Sequence, residues 1–137
     1  GRSPAQYTGY DITPSVLHAA QDKFAAQEGV AFVDDEDALP MADYTVAVGV
    51  FNIKGDHPLA VWQPYVVEKL NKLWAKTNVG MAFNILTKYS DADKMRPHLY
   101  YADPAFYFDH CKRNYSRNVA LLHDYGVYEF TILVRPD

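Results

Sequence analysis

The 137-residue chain is poor in cysteine, in net charge and in long apolar runs, and each shortage closes off a class of protein. Its single cysteine, Cys111, can form no internal disulfide, which sets aside the cross-linked secreted scaffolds and suits a reducing cytoplasm. No apolar run approaches the roughly 18 residues of a membrane span, and the opening residues do not read as a signal peptide. A cytoplasmic protein without a membrane partner is expected. The formal charge of -4 opposes a nucleic-acid groove held by phosphate contacts. His57, His98, His110 and Cys111 lack metal-ligand spacing, so no metal is expected. Repeats and low-complexity tracts are absent too, and residues 1 to 137 read as one domain. An initiator methionine is also missing, so the chain is expected to start partway through a folded unit.

What is present is a core-forming composition, 49% hydrophobic and 15% aromatic, which excludes disorder. Residues 6 to 14, Gln-Tyr-Thr-Gly-Tyr-Asp-Ile-Thr-Pro, begin β-prone and end abruptly in a lone carboxylate, Asp11. Thr13 and Pro14 then supply an N-cap and a first helical position. A strand running into a helix with an acid at the joint lies at the carboxyl edge of an α/β sheet, where such an acid can accept hydrogen bonds from ribose hydroxyls. The plainer reading is that Asp11 only caps the helix and favours its positive end.

Apolar residues at Val16, Leu17, Ala20 and Phe24 predict one buried stripe on a helix over residues 14 to 27, stopped by Gly29. Residues 30 to 33 are a strand-length run ending in Asp34, Asp35, Glu36 and Asp37, a second strand that ends in carboxylates. Residues 43 to 52 form the longest β-like run; apolar on both alternations up to Val50, it reads as a central strand covered on both faces. A helix over 59 to 76, a strand over 78 to 87, and a helix capped by Asp103 follow. Strands over 118 to 123 and 127 to 134, joined by Asp124-Tyr125-Gly126, can only be antiparallel neighbours. The fold class is α/β, a Rossmann-like, mostly parallel sheet with helices on both faces and a C-terminal antiparallel hairpin. A nicotinamide-dependent oxidoreductase, the weaker reading of Asp11, would continue with parallel units instead.

The residues Tyr-Thr-Gly-Tyr-Asp-Ile-Thr-Pro at 7 to 14, Asp-Glu-Asp-Ala-Leu-Pro at 35 to 40, the run from Asp43 to Asn52, and the closing strand pair resemble a class I S-adenosylmethionine-dependent methyltransferase. Phe51-Asn52, Ala82-Phe83-Asn84, the segment 99 to 104 and the segment 123 to 130 are similar to a bacterial subgroup of such enzymes. The resemblance implies that Asp11 holds the ribose hydroxyls of S-adenosyl-L-methionine with Ile12 against the adenosine. It implies that Asp34 or Asp35 receives the adenine amino group with Glu36 beside it. Gly49, Val50 and Phe51 would lie near the methionine moiety, with Asn52 facing a small-molecule acceptor.

The family's opening strand and glycine-rich turn have no counterpart before Gln6, so the fold is expected to be N-terminally incomplete. That strand would sit between the Tyr7 and Asp43 strands, and its loss would leave backbone groups unpaired at about 1 to 3 kcal/mol each. Residues upstream of Gly1, another chain or a rearranged segment are expected to fill the slot, and cofactor affinity is expected to be weak without them. A homo-oligomer through the incomplete sheet is one such filling. A non-catalytic methyltransferase-like module associating through its sheet edges is the alternative function. Because methyl transfer is an in-line displacement, the protein mainly positions donor and acceptor and supplies a base. Asn52, Asn84 and His123 are the candidates for contact with the reacting groups. Tyr100 and Tyr101 are candidates to wall the acceptor pocket, although an aromatic cluster is more often core.

Overall fold

The computed structural model describes residues 5 to 11 and 13 to 137. In chain order they form β1 (Tyr7–Tyr10), α1 (Pro14–Lys23), β2 (Val30–Val33), β3 (Ala42–Ala47), α2 (Leu59–Ala75), β4 (Thr77–Leu86), α3 (Pro104–Asn114), β5 (Asn118–Leu122) and β6 (Glu129–Arg135). Short 3-10 turns lie at Glu36–Ala38 and Ala92–Lys94. The chain divides into two compact units, Gly1–Met41 and Ala42–Asp137.

In the first unit β1 and β2 pair in parallel, from Tyr7 opposite Val30 to Tyr10 opposite Val33. The Phe32 ring organises it, meeting Tyr7 edge-on and stacking against Phe24. Gly9 is required by that ring, since a Cβ there would lie 2.7 Å from its nearest carbon. Pro14 opens α1 as expected, but the helix ends at Lys23 and the expected stripe is not buried. Val16 is 51% exposed. Two strands offer a single narrow apolar strip, and Phe24 and Phe32 fill it.

The second unit holds a four-stranded sheet in the order β3-β4-β6-β5. β3 and β4 are parallel, while β6 runs antiparallel to both β4 and β5. Every second residue of β4 and β6 enters the core: Met81, Phe83 and Ile85 from one, Phe130, Ile132 and Val134 from the other. Val66 and Leu70 of α2 and Tyr107 and Cys111 of α3 close it from one side. Asp103 caps α3 as the sequence predicts, its carboxylate accepting from the Ala105 N–H at 3.0 Å. Burial pushes the Cys111 thiol up to about 12, which leaves it an inert core group. Among the described residues no helix is long and apolar enough to cross a membrane.

Two expectations change here. β3 ends at Ala47, short of the predicted Asn52, because the chain turns at Gly49 with φ +71. Nor is β3 covered on both faces. Ala47 is buried, while Tyr44, Val46 and Val48 are each more than 60% exposed. A strand apolar on both alternations needs two covering layers, and α2 and α3 give this unit one. β1 and β3 each have a single strand partner among the described residues.

Deep in this core the hydroxyls of Tyr100 and Tyr107 bond each other at 2.7 Å, and burial raises the pKa of both. Tyr100 is therefore part of the core and no wall of an acceptor pocket. Tyr100→Phe strands the Tyr107 hydroxyl, so urea denaturation should show a loss of about 1 to 3 kcal/mol. Adding Tyr107→Phe removes the orphaned group and should recover part of that loss. An additive double variant would show that the pair is not coupled.

Candidate functional site

Parallel strands deliver their carboxyl ends to one margin, and in each unit the chemistry collects there. In the first unit the Asp11 N–H reaches the Val33 carbonyl at 3.4 Å, so Asp11 stands beside Asp34 just past the paired ends of β1 and β2. Asp11 is half-buried and its Oδ1 accepts the Thr13 N–H at 2.8 Å. Thr13 itself makes no side-chain cap bond. Asp35 does the same two residues along, its Oδ1 accepting the Asp37 N–H at 2.9 Å and capping the turn Glu36–Ala38. Each carboxylate thus spends one oxygen on its own backbone, and its other oxygen has no hydrogen-bond partner among the described residues. The bond to Thr13 is the structural role of Asp11. Asp34 is exposed and Glu36 half-buried on the same margin. Ile12, expected against the adenosine, lies outside the described residues.

In the second unit the loop after β3 is pinned from several sides. The Gly49 N–H donates to Asn84 Oδ1 at 2.7 Å, and Asn84 Nδ2 donates to Glu129 Oε2 at 3.1 Å. The Phe51 carbonyl accepts from the Trp62 indole N–H at 3.0 Å, and its ring is buried. Asn52 Oδ1 accepts the Leu86 N–H at 3.1 Å, and its carbonyl accepts the Tyr100 N–H at 2.8 Å. Val50 is 61% exposed on this loop. Asn52 and Asn84 were both candidates for contact with the reacting groups. Their side-chain oxygens accept backbone N–H groups, the partner-satisfying role that was the other reading of Asn84.

His123 lies one residue past β5, where Nε2 is 2.9 Å from Oγ1 of the buried Thr87. Thr87 Oγ1 also accepts the Tyr89 N–H at 3.2 Å, and the rings of Tyr89 and Phe130 flank the imidazole. With Nε2 held, Nδ1 is the nitrogen that has no partner among the described residues. Tyr101 accepts the Arg96 N–H through its hydroxyl at 2.9 Å. Glu129 and Thr87 are the residues that sequence reasoning missed. An acid opening an otherwise apolar strand was a signal for the first, while nothing local marked the second.

Comparison with solved structures defines the class first. The magnesium protoporphyrin IX methyltransferase of Synechocystis PCC 6803, solved with bound SAM and with bound SAH, matches 97% of this chain with a TM-score of 0.67 in both cases, at 12% and 14% identity. The chain covers 60% and 64% of those two structures. The structure of a candidate type 11 methyltransferase from Sulfolobus solfataricus matches 96% of the chain at 15% identity with a TM-score of 0.59, and 72% of it is covered. The fold is that of the class I methyltransferases. In sequence, the chain is 48% identical over 129 residues to a candidate methyltransferase of Mycobacterium tuberculosis strain H37Rv, a match covering 94% of this chain and 78% of the relative. The chain belongs to the methyltransferase family of that relative and has the class I methyltransferase fold. No protein-family model matches it.

Proposed function

We propose that the protein transfers a methyl group from S-adenosylmethionine to a small-molecule acceptor. The observation that carries this reading is the pair of acid-terminated parallel strands, with Asp11 and Asp34 adjacent on one margin and one Asp11 oxygen without a hydrogen-bond partner among the described residues. That donor set fits an adenosyl group: carboxylates accept from the two ribose hydroxyls at Asp11 and from the adenine amino group at Asp34 or Asp35, with Glu36 lining that side. The turn at Gly49 fits a close backbone approach. A Cβ built there would meet only Asn52 Nδ2, at 3.9 Å, so within the second unit the loop formed by Gly49, Val50 and Phe51 leaves its backbone open to a ligand.

When bound, the cofactor supplies a methyl group on a positively charged sulfur. The chain's own residues then have two tasks. Asn52 and Asn84 hold the loop in place, so that no reorganisation is needed when the reactants meet. His123 takes the acceptor's proton at Nδ1 in the tautomer whose Nε2–H donates to Thr87 Oγ1. A non-catalytic module has less to recommend it, because pinned loops and paired acids are what a binding site requires and sheet edges do not need them.

Calorimetric titration of the full-length protein with S-adenosylhomocysteine tests the reading. One-site, saturable binding is expected. No heat of binding at millimolar ligand would overturn it.

A further inference from the structure

We infer that Glu129 and Asn84 are a positioning relay that sets the Gly49 turn, and through it the backbone that the second unit offers to a ligand. The inference rests on the S-adenosylmethionine reading above. Its geometry is a polar line across three neighbouring strands, from the Glu129 carboxylate on β6, through the Asn84 amide on β4, to the Gly49 N–H just beyond β3.

The register explains why these three meet. Asn84 pairs with Thr131 and Leu86 with Glu129, so Asn84 and Glu129 are diagonal neighbours two positions apart and project from the same sheet face. Phe83 pairs with Ala47, which brings Asn84 level with the residues that follow β3. A primary amide has two nearly isosteric ends, and only one of them can accept from the Gly49 N–H. Glu129 decides which. An ionised carboxylate accepts and never donates, so it draws Nδ2 toward itself and turns Oδ1 toward Gly49. No Lys or Arg side chain forms an ion pair with Glu129 among the described residues. Asn52 pins the far end of the same loop to Leu86 independently, which leaves the relay in charge of the near end.

The relay makes a prediction that simple packing does not. Glu129→Gln still presents an oxygen to Asn84 Nδ2 and should keep S-adenosylhomocysteine affinity within twofold. Glu129→Leu removes the acceptor and should weaken binding roughly three- to tenfold. Asn84→Asp sets two carboxylates against each other, so it should weaken binding at least as much. The double variant Asn84→Asp with Glu129→Gln should recover, because the new amide donates to Asp at 84 while the other oxygen of that carboxylate still accepts from Gly49. Calorimetry on the full-length protein reads the affinities. Amide exchange at 15N-labelled glycine reads Gly49 directly, with faster exchange expected in the two weakened variants and a return toward the original rate in the double variant. Unchanged Gly49 exchange in Glu129→Leu and Asn84→Asp, or a double variant no better than Asn84→Asp alone, would overturn the relay. Absence of binding by the unsubstituted protein would instead sink the cofactor reading, which keeps the two failures apart.

Discussion

Asp11→Ala is expected to weaken S-adenosylhomocysteine binding by roughly ten- to a hundredfold, the loss that follows from removing charge-assisted bonds worth about 1.5 to 3 kcal/mol. The same substitution takes the acceptor from the Thr13 N–H, so a stability loss of about 1 kcal/mol should accompany it. Asp11→Asn separates the two contributions. Its amide oxygen can still accept from Thr13, so stability should return while the charge that strengthens hydroxyl binding does not. Isothermal titration beside urea denaturation measures both quantities on the same samples. An Asp11→Ala variant that binds as tightly as the original would reduce Asp11 to a turn former and remove the ribose assignment.

Phe83→Ala should cost about 3 to 5 kcal/mol, against the roughly 5 to 15 kcal/mol that holds a typical domain folded. Phe83 is 1% exposed, sits between Met81 and Ile85 on the buried face of β4, and meets the Tyr107 ring edge-on at 6.3 Å. Removing its ring opens a cavity among groups that α2 and α3 hold in place, so little collapse can relieve it. Val46→Ala is the matched control. That side chain is 64% exposed on the uncovered face of the same sheet, and its truncation should change stability by no more than about 0.5 kcal/mol. Urea midpoints at constant m-value give the comparison. Equal losses at the two positions would show that the faces of this sheet are buried alike. Phe83 also neighbours Asn84 along the strand, so a folded Phe83→Leu variant should retain the Gly49 contact.

Much of this architecture was legible before any coordinates. Pro14 and Asp103 with Pro104 marked helix starts correctly, because caps and first-turn prolines act within a few residues of where they stand. The apolar pattern of residues 59 to 76 matched α2 to within one residue. The closing strands came out antiparallel, although their connection runs from 123 to 128 and is longer than the three residues expected. The failures have a common cause. The stripe on α1 and the double-sided burial of β3 both assumed covering layers, and a pattern of apolar residues states what a segment can bury without saying what is there to bury it.

The site divides in the same way. Local chemistry alone placed carboxylates at the ends of β1 and β2, since an acid after an apolar run is a property of the segment itself, whereas the turn at Gly49 had been read as the interior of a strand running to Asn52. Only the tertiary structure decided that Asn84 serves Gly49, that Glu129 orients Asn84, and that His123 leans on Thr87. Those partners are 35, 45 and 36 residues apart in the chain, and strand register, set by the packing of a whole sheet against α2 and α3, is what brings them within hydrogen-bonding reach.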